Sequence, residues 1–249
     1  MTKDHCSLKN FFPGLSVKIS TKDKDIVEGK VKKILTVIAY DPWGIFVELE
    51  TGVSGNTVQI IQTDSEKIYN QLISDLIFDL EHDETDKVDF KETFAYPVDP
   101  EMPLSEITTK DKKFIRFLIG KVIASFANTS GGTVYIGIQD RTKKIMGLKR
   151  DFKLLDDGEQ DTDGLGKKMK SYLPSLFGRE NKIFKVVFIN FIKYKGEDIC
   201  VVKVKPSRFA FVLTYENEDR FYVRQNDSSN HLPDLNSFLD HWTEHIQGN

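Results

Sequence analysis

Five carboxylates in this chain are spaced so that they could act together. Asp83, Glu84, Asp86 and Asp89 fall within seven positions, and Asp140 stands at the far end of the strand-like run TVYIGI. A hard divalent cation such as Mg²⁺ or Mn²⁺ takes oxygen ligands, a few carboxylates completed by water and a substrate phosphate. Such an ion activates water and neutralises charge developing on a phosphodiester. Acidic runs also occur as solvated loops, and the local sequence leaves both readings open.

A second set is basic and aromatic. If RFYVR is a strand, its period of two sends Arg220, Tyr222 and Arg224 to one face and Phe221 and Val223 to the core. Two guanidinium groups flanking a tyrosine suit phosphate contact and base stacking. An ordinary exposed strand face bridged by ion pairs fits as well. Lys203, Lys205 and Arg208 on the preceding segment add weight to binding.

Other combinations are less productive. Asn128, Gly131 and Gly132 sit between a helix-like and a strand-like run, where left-handed backbone angles turn the chain at little steric cost. A Walker phosphate loop stands after a strand and before a helix. Here the order is reversed, so no nucleotide cofactor is expected. His241 and His245 are four apart on a helix-like segment without a third ligand motif nearby, which reads as a solvated helix face. Cys6 and Cys200 form neither a disulfide framework nor a Cys-x-x-Cys pair, so no zinc is expected. No histidine stands in a recognisable relation to a Ser or Cys nucleophile.

Elements must position these residues. From Leu15 to Ile61 the runs LSVKIS, IVEGKVKKILT, GIFVELET and NTVQII read as short strands between frequent turns, which suits a small closed barrel of SH3 or OB type. Ile68, Leu72, Ile73, Leu76, Ile77 and Leu80 then fall at helical spacing, in a helix expected to connect two domains. The loop YPVDPEMP should be exposed. A second helix opens at Thr108 or Thr109 and ends at Asn128, followed by the TVYIGI strand, a turn over 140–147 and another short strand. A third helix is expected from Thr162 to Tyr172, stopped by Pro174. Strands KVVFINFIKY, DICVVKVKP and RFYVRQ come next, and a last helix covers Asp234 to Ile246. Helices mixed with strands argue for an α+β class, a small N-terminal β-barrel followed by a mixed α+β domain. The expected division is 1–63, a connecting helix at 64–82, and 83–249.

Composition sets the outer bounds. Charged residues make up 29% of the 249 and hydrophobic residues 39%, and no apolar run approaches the roughly 20 residues of a bilayer-spanning helix. The segment MTKDHCSLKN has no apolar core that would read as a secretory signal, so a cytoplasmic location is the expectation. Lys plus Arg total 35 against 38 for Asp plus Glu. Any nucleic-acid binding must therefore come from local placement of charge.

Taken together, VDFKET (88–93), SFANTSGGTVYIGIQD (125–140), IMGL (145–148) and FYVRQNDSS (221–229) resemble the Schlafen AlbA-like domain. The resemblance implies an α+β fold that binds nucleic acid, and in some members a metal-dependent endoribonuclease cutting tRNA and rRNA with three acids. Carried onto this sequence, those acids are Glu84, Asp89 and Asp140. The second is Asp where the family has Glu, the family's zinc-binding Cys and His set is missing, and there is a single copy of the domain. A groove would then need a homodimer or a partner subunit. The stretch VEGKVKKILTVIAYDPWGIFVELETGVSGNTVQI is similar to the YwbE-like family of small β proteins, with Lys30, Lys32 and Lys33 as phosphate-contact candidates or a solvated strand face.

The resulting expectation is a nucleic-acid-binding protein acting on RNA such as tRNA, or on DNA. In the enzymatic version Glu84, Asp89 and Asp140 hold Mg²⁺ or Mn²⁺, and Lys91, on the strand face of Asp89, stabilises the developing oxyanion. Arg220, Tyr222 and Arg224 position the backbone, with Lys203 and Lys205 as further nucleic-acid contacts. The alternatives are a noncatalytic DNA- or RNA-binding regulator and a protein-interaction subunit.

Overall fold

The computed structural model describes residues 4–61, 64–82, 85–96, 103–155, 159–177 and 182–248. The chain divides into two compact units, Met1–Glu81 and His82–Asn249.

In the first unit, β1 (Ser16–Ser20), β2 (Ile26–Ile34), β3 (Phe46–Leu49) and β4 (Ser54–Ile60) form a closed barrel. All pairings are antiparallel, and β1 pairs with both β2 and β4, which leaves no open edge in the sheet. Val17, Ile19, Val31, Val47 and Leu49 point inward and are fully buried. Helix α1 (Asp64–Glu81) belongs to this unit and buries Leu72, Ile73 and Leu76.

The second unit begins with β5 (Val88–Lys91), α2 (Thr109–Ala127) and β6 (Gly132–Ile136). β5 and β6 run parallel, so α2 serves as the crossover that a parallel pair requires. The short α3 (Lys149–Phe152), α4 (Thr162–Phe177), β7 (Val187–Tyr194) and β8 (Glu197–Val204) follow, giving a four-stranded sheet in the order β5-β6-β8-β7. A second sheet, ordered β11-β10-β9, holds β9 (Val212–Tyr215), β10 (Glu218–Gln225) and β11 (Ser228–Leu232), and α5 (Leu235–Gly248) ends the chain. The architecture is α+β. Helix α2 touches strands of both sheets, and its Ile119, Ile123 and Phe126 are fully buried in the common core with Val134, Val202 and Leu213.

Several local expectations change. Helix α4 runs through Pro174 to Phe177, because Leu173, Leu176 and Phe177 are buried in the core and their burial offsets the local cost of the proline. The 140–147 turn leads into the short helix α3 in place of the expected strand, and Ile145 within the turn makes a bridge with Ile138. Of the three turn residues only Gly131 is left-handed, at φ 75°, and its amide closes on Phe126 O at 2.9 Å. Asn128 has right-handed angles and a buried side chain. Its Nδ2 donates to the carbonyls of Phe211 and Tyr222, both at 2.9 Å, and its Oδ1 accepts from Phe211 N at 2.8 Å. It is a pin between α2 and the three-stranded sheet, as well as a helix end. Most of the loop 96–103 lies outside the described residues.

Candidate nucleic-acid interface

The site is built at the edge strand β5, where the period of two sends Asp89 and Lys91 to the side facing α2 and β10. Asp89 is only 4% exposed. Its Oδ2 accepts from Arg224 Nη1 at 2.7 Å, and its Oδ1 is paired with Lys91 Nζ. The Arg224 side chain is 1% exposed, and its Nη2 donates to the carbonyls of Thr85 (3.1 Å) and Val88 (3.0 Å). Its guanidinium carbon stands 4.9 Å from the Phe126 ring centroid. These contacts make Arg224 a clamp that ties β10 to β5.

Lys121 reaches the same place from α2, with Nζ 5.8 Å from the Tyr222 ring centroid. Burial, and then the neighbouring Lys91 and Arg224 charges, hold its ammonium below the ordinary lysine pKa, with Asp89 opposing. An open cleft of about 410 Å³ is lined by Asp89, Lys91, Lys121, Arg224, the apolar Leu118 and Val122, Asp140, and residues 227–230 of the β10–β11 turn. That turn is held to α2 by Ser229 Oγ and Ser125 Oγ, 2.8 Å apart. Asp140, beyond the end of β6, and Asp227 are exposed. The cleft therefore has three cations around one buried carboxylate, with carboxylates toward solvent.

The expected residues are only partly brought together. Asp89, Lys91 and Asp140 line the cleft, whereas Glu84 lies outside the described residues. Arg220, Tyr222 and Arg224 do share a strand face, but it is not the solvated face expected. Tyr222 lies in the core against Phe117, and Arg220 donates to Glu218 at 2.6 Å. The reason is that the three-stranded sheet is covered on both sides, by α2 on this face and on the other by α5, whose Phe238 and Trp242 pack on Phe221. Lys203 pairs in register with Thr133, one step from the Asp89, Val134 and Val202 row, so it faces the opposite side of the sheet. Lys205 lies over the Phe188 ring, also away from the cleft. His241 and His245 are not a solvated pair either, since their Nε2 atoms bond the carbonyl oxygens of Asn128 (2.8 Å) and Ser207 (2.9 Å). Among Lys30, Lys32 and Lys33 in the first unit, Lys32 is paired with Glu48 at 2.7 Å.

Among the described residues the donor set does not suit a divalent cation. Both Asp89 oxygens are occupied by cations, and a divalent ion there would have to displace one of them and face the other two. Among the described residues no group of three His, Cys, Asp or Glu side chains comes together. Lys121 escaped the sequence reading. Its signal was a single charge on the apolar face of a helix, in FLIGKVIASF.

None of the described helices is long and apolar enough to cross a membrane. Two solved structures show partial likeness. The DIP2311 protein from Corynebacterium diphtheriae is 18% identical with a TM-score of 0.46, over 72% of this chain and 33% of that one. This chain thus spans about a third of that protein's length. The N-terminal domain of a RecG-related protein from Nitrosomonas europaea is 16% identical with a TM-score of 0.38, over 65% of this chain and 92% of that one. Likeness at these scores specifies no activity. The model of the family described as Schlafen, AlbA_2 matches residues 84–233, more than half of the sequence and every residue that lines the cleft, and the chain belongs to that family, whose membership suggests association with nucleic acid.

Proposed function

We propose that this protein binds RNA or DNA through the β5 cleft, with Lys91 and Lys121 contacting backbone phosphates and Arg224 supporting them from below. The observation that carries the reading is the neutralised Asp89. With its charge satisfied by Arg224 and Lys91, the ammonium of Lys121 is the cation in excess around Asp89, while Asp140 and Asp227 stand toward solvent, so attraction for phosphate is local to Lys121 and Lys91. The Asn230 amide at the β10–β11 turn has a second N–H, beyond the one given to Gln225, for a phosphate or sugar oxygen. The cleft volume holds a nucleotide unit rather than a duplex, so binding is read at individual phosphates.

Binding of a fluorescent tRNA and of a DNA duplex across a salt series tests this. Affinity should fall linearly on logarithmic axes, and Lys121→Ala should reduce the slope by about 0.7–0.9 for one lost phosphate contact. Equal slopes for wild type and variant would remove Lys121 from the interface.

Metal-dependent cleavage of structured RNA is the rival reading, and the occupied Asp89 oxygens stand against it. Cleavage in wild type that Asp140→Ala abolishes would establish this reading over simple binding.

A further inference from the structure

Far from the cleft, at the β7 edge of the same sheet, three phenylalanines are exposed: Phe184 and Phe188 at 39% and Phe209 at 44%. Most phenylalanines elsewhere in this unit are buried, including Phe90, Phe94, Phe126 and Phe211. The exposed rings are interleaved with cations. Lys182 Nζ stands 4.1 Å from the Phe209 ring centroid and Lys205 Nζ 4.9 Å from that of Phe188. Backbone bonds hold the group together. Lys205 N donates to Val186 O at 2.8 Å, and Lys185 N donates to Lys182 O at 3.1 Å in the short turn that carries Phe184.

Within the two stretches that carry these rings, the charge is one-sided. Residues 181–196 and 199–215 contain no Asp or Glu, while they supply Lys182, Lys185, Lys205 and Arg208 to this end of the sheet. A patch meant to be solvated would need no phenylalanine, and one covered by an apolar partner would not need so many cations. Rings that offer a π-face beside mobile ammonium groups match unpaired bases on a phosphate backbone, where stacking and charge act together.

We infer that Phe184, Phe188 and Phe209, with Lys182, Lys185 and Lys205, form a second nucleic-acid site that stacks the bases of a single strand. When a base takes the ring face, the ammonium above it moves to the adjoining phosphate. The inference shares with the proposed function only the class of ligand, and it does not depend on the cleft. The two sites lie at opposite edges of one sheet, which the strand order places three strands apart. A single strand leaving a structured RNA bound at the cleft would meet this second surface.

The experiment measures binding of the full chain to an oligothymidine and to a DNA duplex, for wild type, Phe188→Ala, Phe209→Ala, Phe188→Leu, Phe188→Trp and Lys121→Ala. Circular dichroism melts confirm that each variant folds. Oligothymidine affinity should fall on the order of tenfold with either alanine variant, Phe188→Leu should not restore it, and Phe188→Trp should. Full binding by Phe188→Leu would overturn stacking in favour of simple apolar contact. Unchanged binding by both alanine variants, or equal competition by poly-glutamate, would overturn the site altogether. Loss of oligothymidine binding with the phenylalanine variants but not with Lys121→Ala would uphold this site, loss with Lys121→Ala alone would overturn it, and duplex binding unchanged by Lys121→Ala would separately sink the cleft reading.

Discussion

Asp89 is the residue on which the cleft's chemistry turns. A carboxylate this buried is tolerated because Arg224 and Lys91 accept its charge. Removing one partner leaves an uncompensated charge, so Arg224→Met should lower stability by about 3–5 kcal/mol in a urea titration, and Asp89→Asn in the same background should recover part of it. Lys121 gives a pH signature. Its folded pKa is held below 10.5 by burial, and a bound phosphate favours its charged form. Nucleic-acid affinity should therefore weaken as pH rises from neutrality toward 10.5, and Lys121→Arg should flatten that decline, as read by anisotropy titrations. Asp151 behaves oppositely to a surface acid. Burial raises its pKa above 3.8 against the hydrogen bonds of Thr93, Ala95 and Phe94. Between the unfolded value and the raised folded one, the native state binds more protons, so this group makes stability fall as pH increases. Asp151→Asn keeps an acceptor at Oδ1 and should remove that slope from pH-dependent melts.

Among the elements, α2 carries most of the design. Thr108 and Asp111 form a reciprocal capping box at its start, with Thr108 N donating to Asp111 Oδ2 at 2.9 Å and Asp111 N to Thr108 Oγ1 at 3.2 Å. Thr108→Ala should cost about 1 kcal/mol. At the other end, a Cβ on Gly131 would stand 2.6 Å from Val204 O in addition to requiring φ 75°, so Gly131→Ala should destabilise by more than about 1 kcal/mol in denaturant melts. Because the turn fixes where β6 begins, this change should also weaken binding at the cleft, which Lys121 enters from one side and Asp140 from the other. The three-stranded sheet shows why strand alternation misled. Period two assigns residues to faces correctly, yet whether a face meets water depends on what packs on it. Here α2 covers one side and α5 the other. The two histidines of α5 take part in that covering through Asn128 and Ser207.

For the molecule as a whole, a net charge of −3 means that attraction to nucleic acid rests on a few local cations. Charge reversal at Lys30 and Lys33 of the barrel should leave affinity for tRNA unchanged, whereas reversal at Lys91 should abolish it, in the same salt-series assay. The sequence by itself determined the two-part organisation into barrel and α+β region, the helices and most strands, the strand face shared by Asp89 and Lys91, and the family. Those follow from short-range periodicity and turn chemistry, which are written residue by residue. Tertiary structure alone decided that Arg224 would neutralise Asp89 from 135 positions away, that Tyr222 would be core, and that Lys121 would open onto a cleft. It also set Phe188 beside Lys205 on an exposed edge. These are contacts between distant segments, fixed by which helix covers which sheet face, and that choice comes from the packing energy of the whole core.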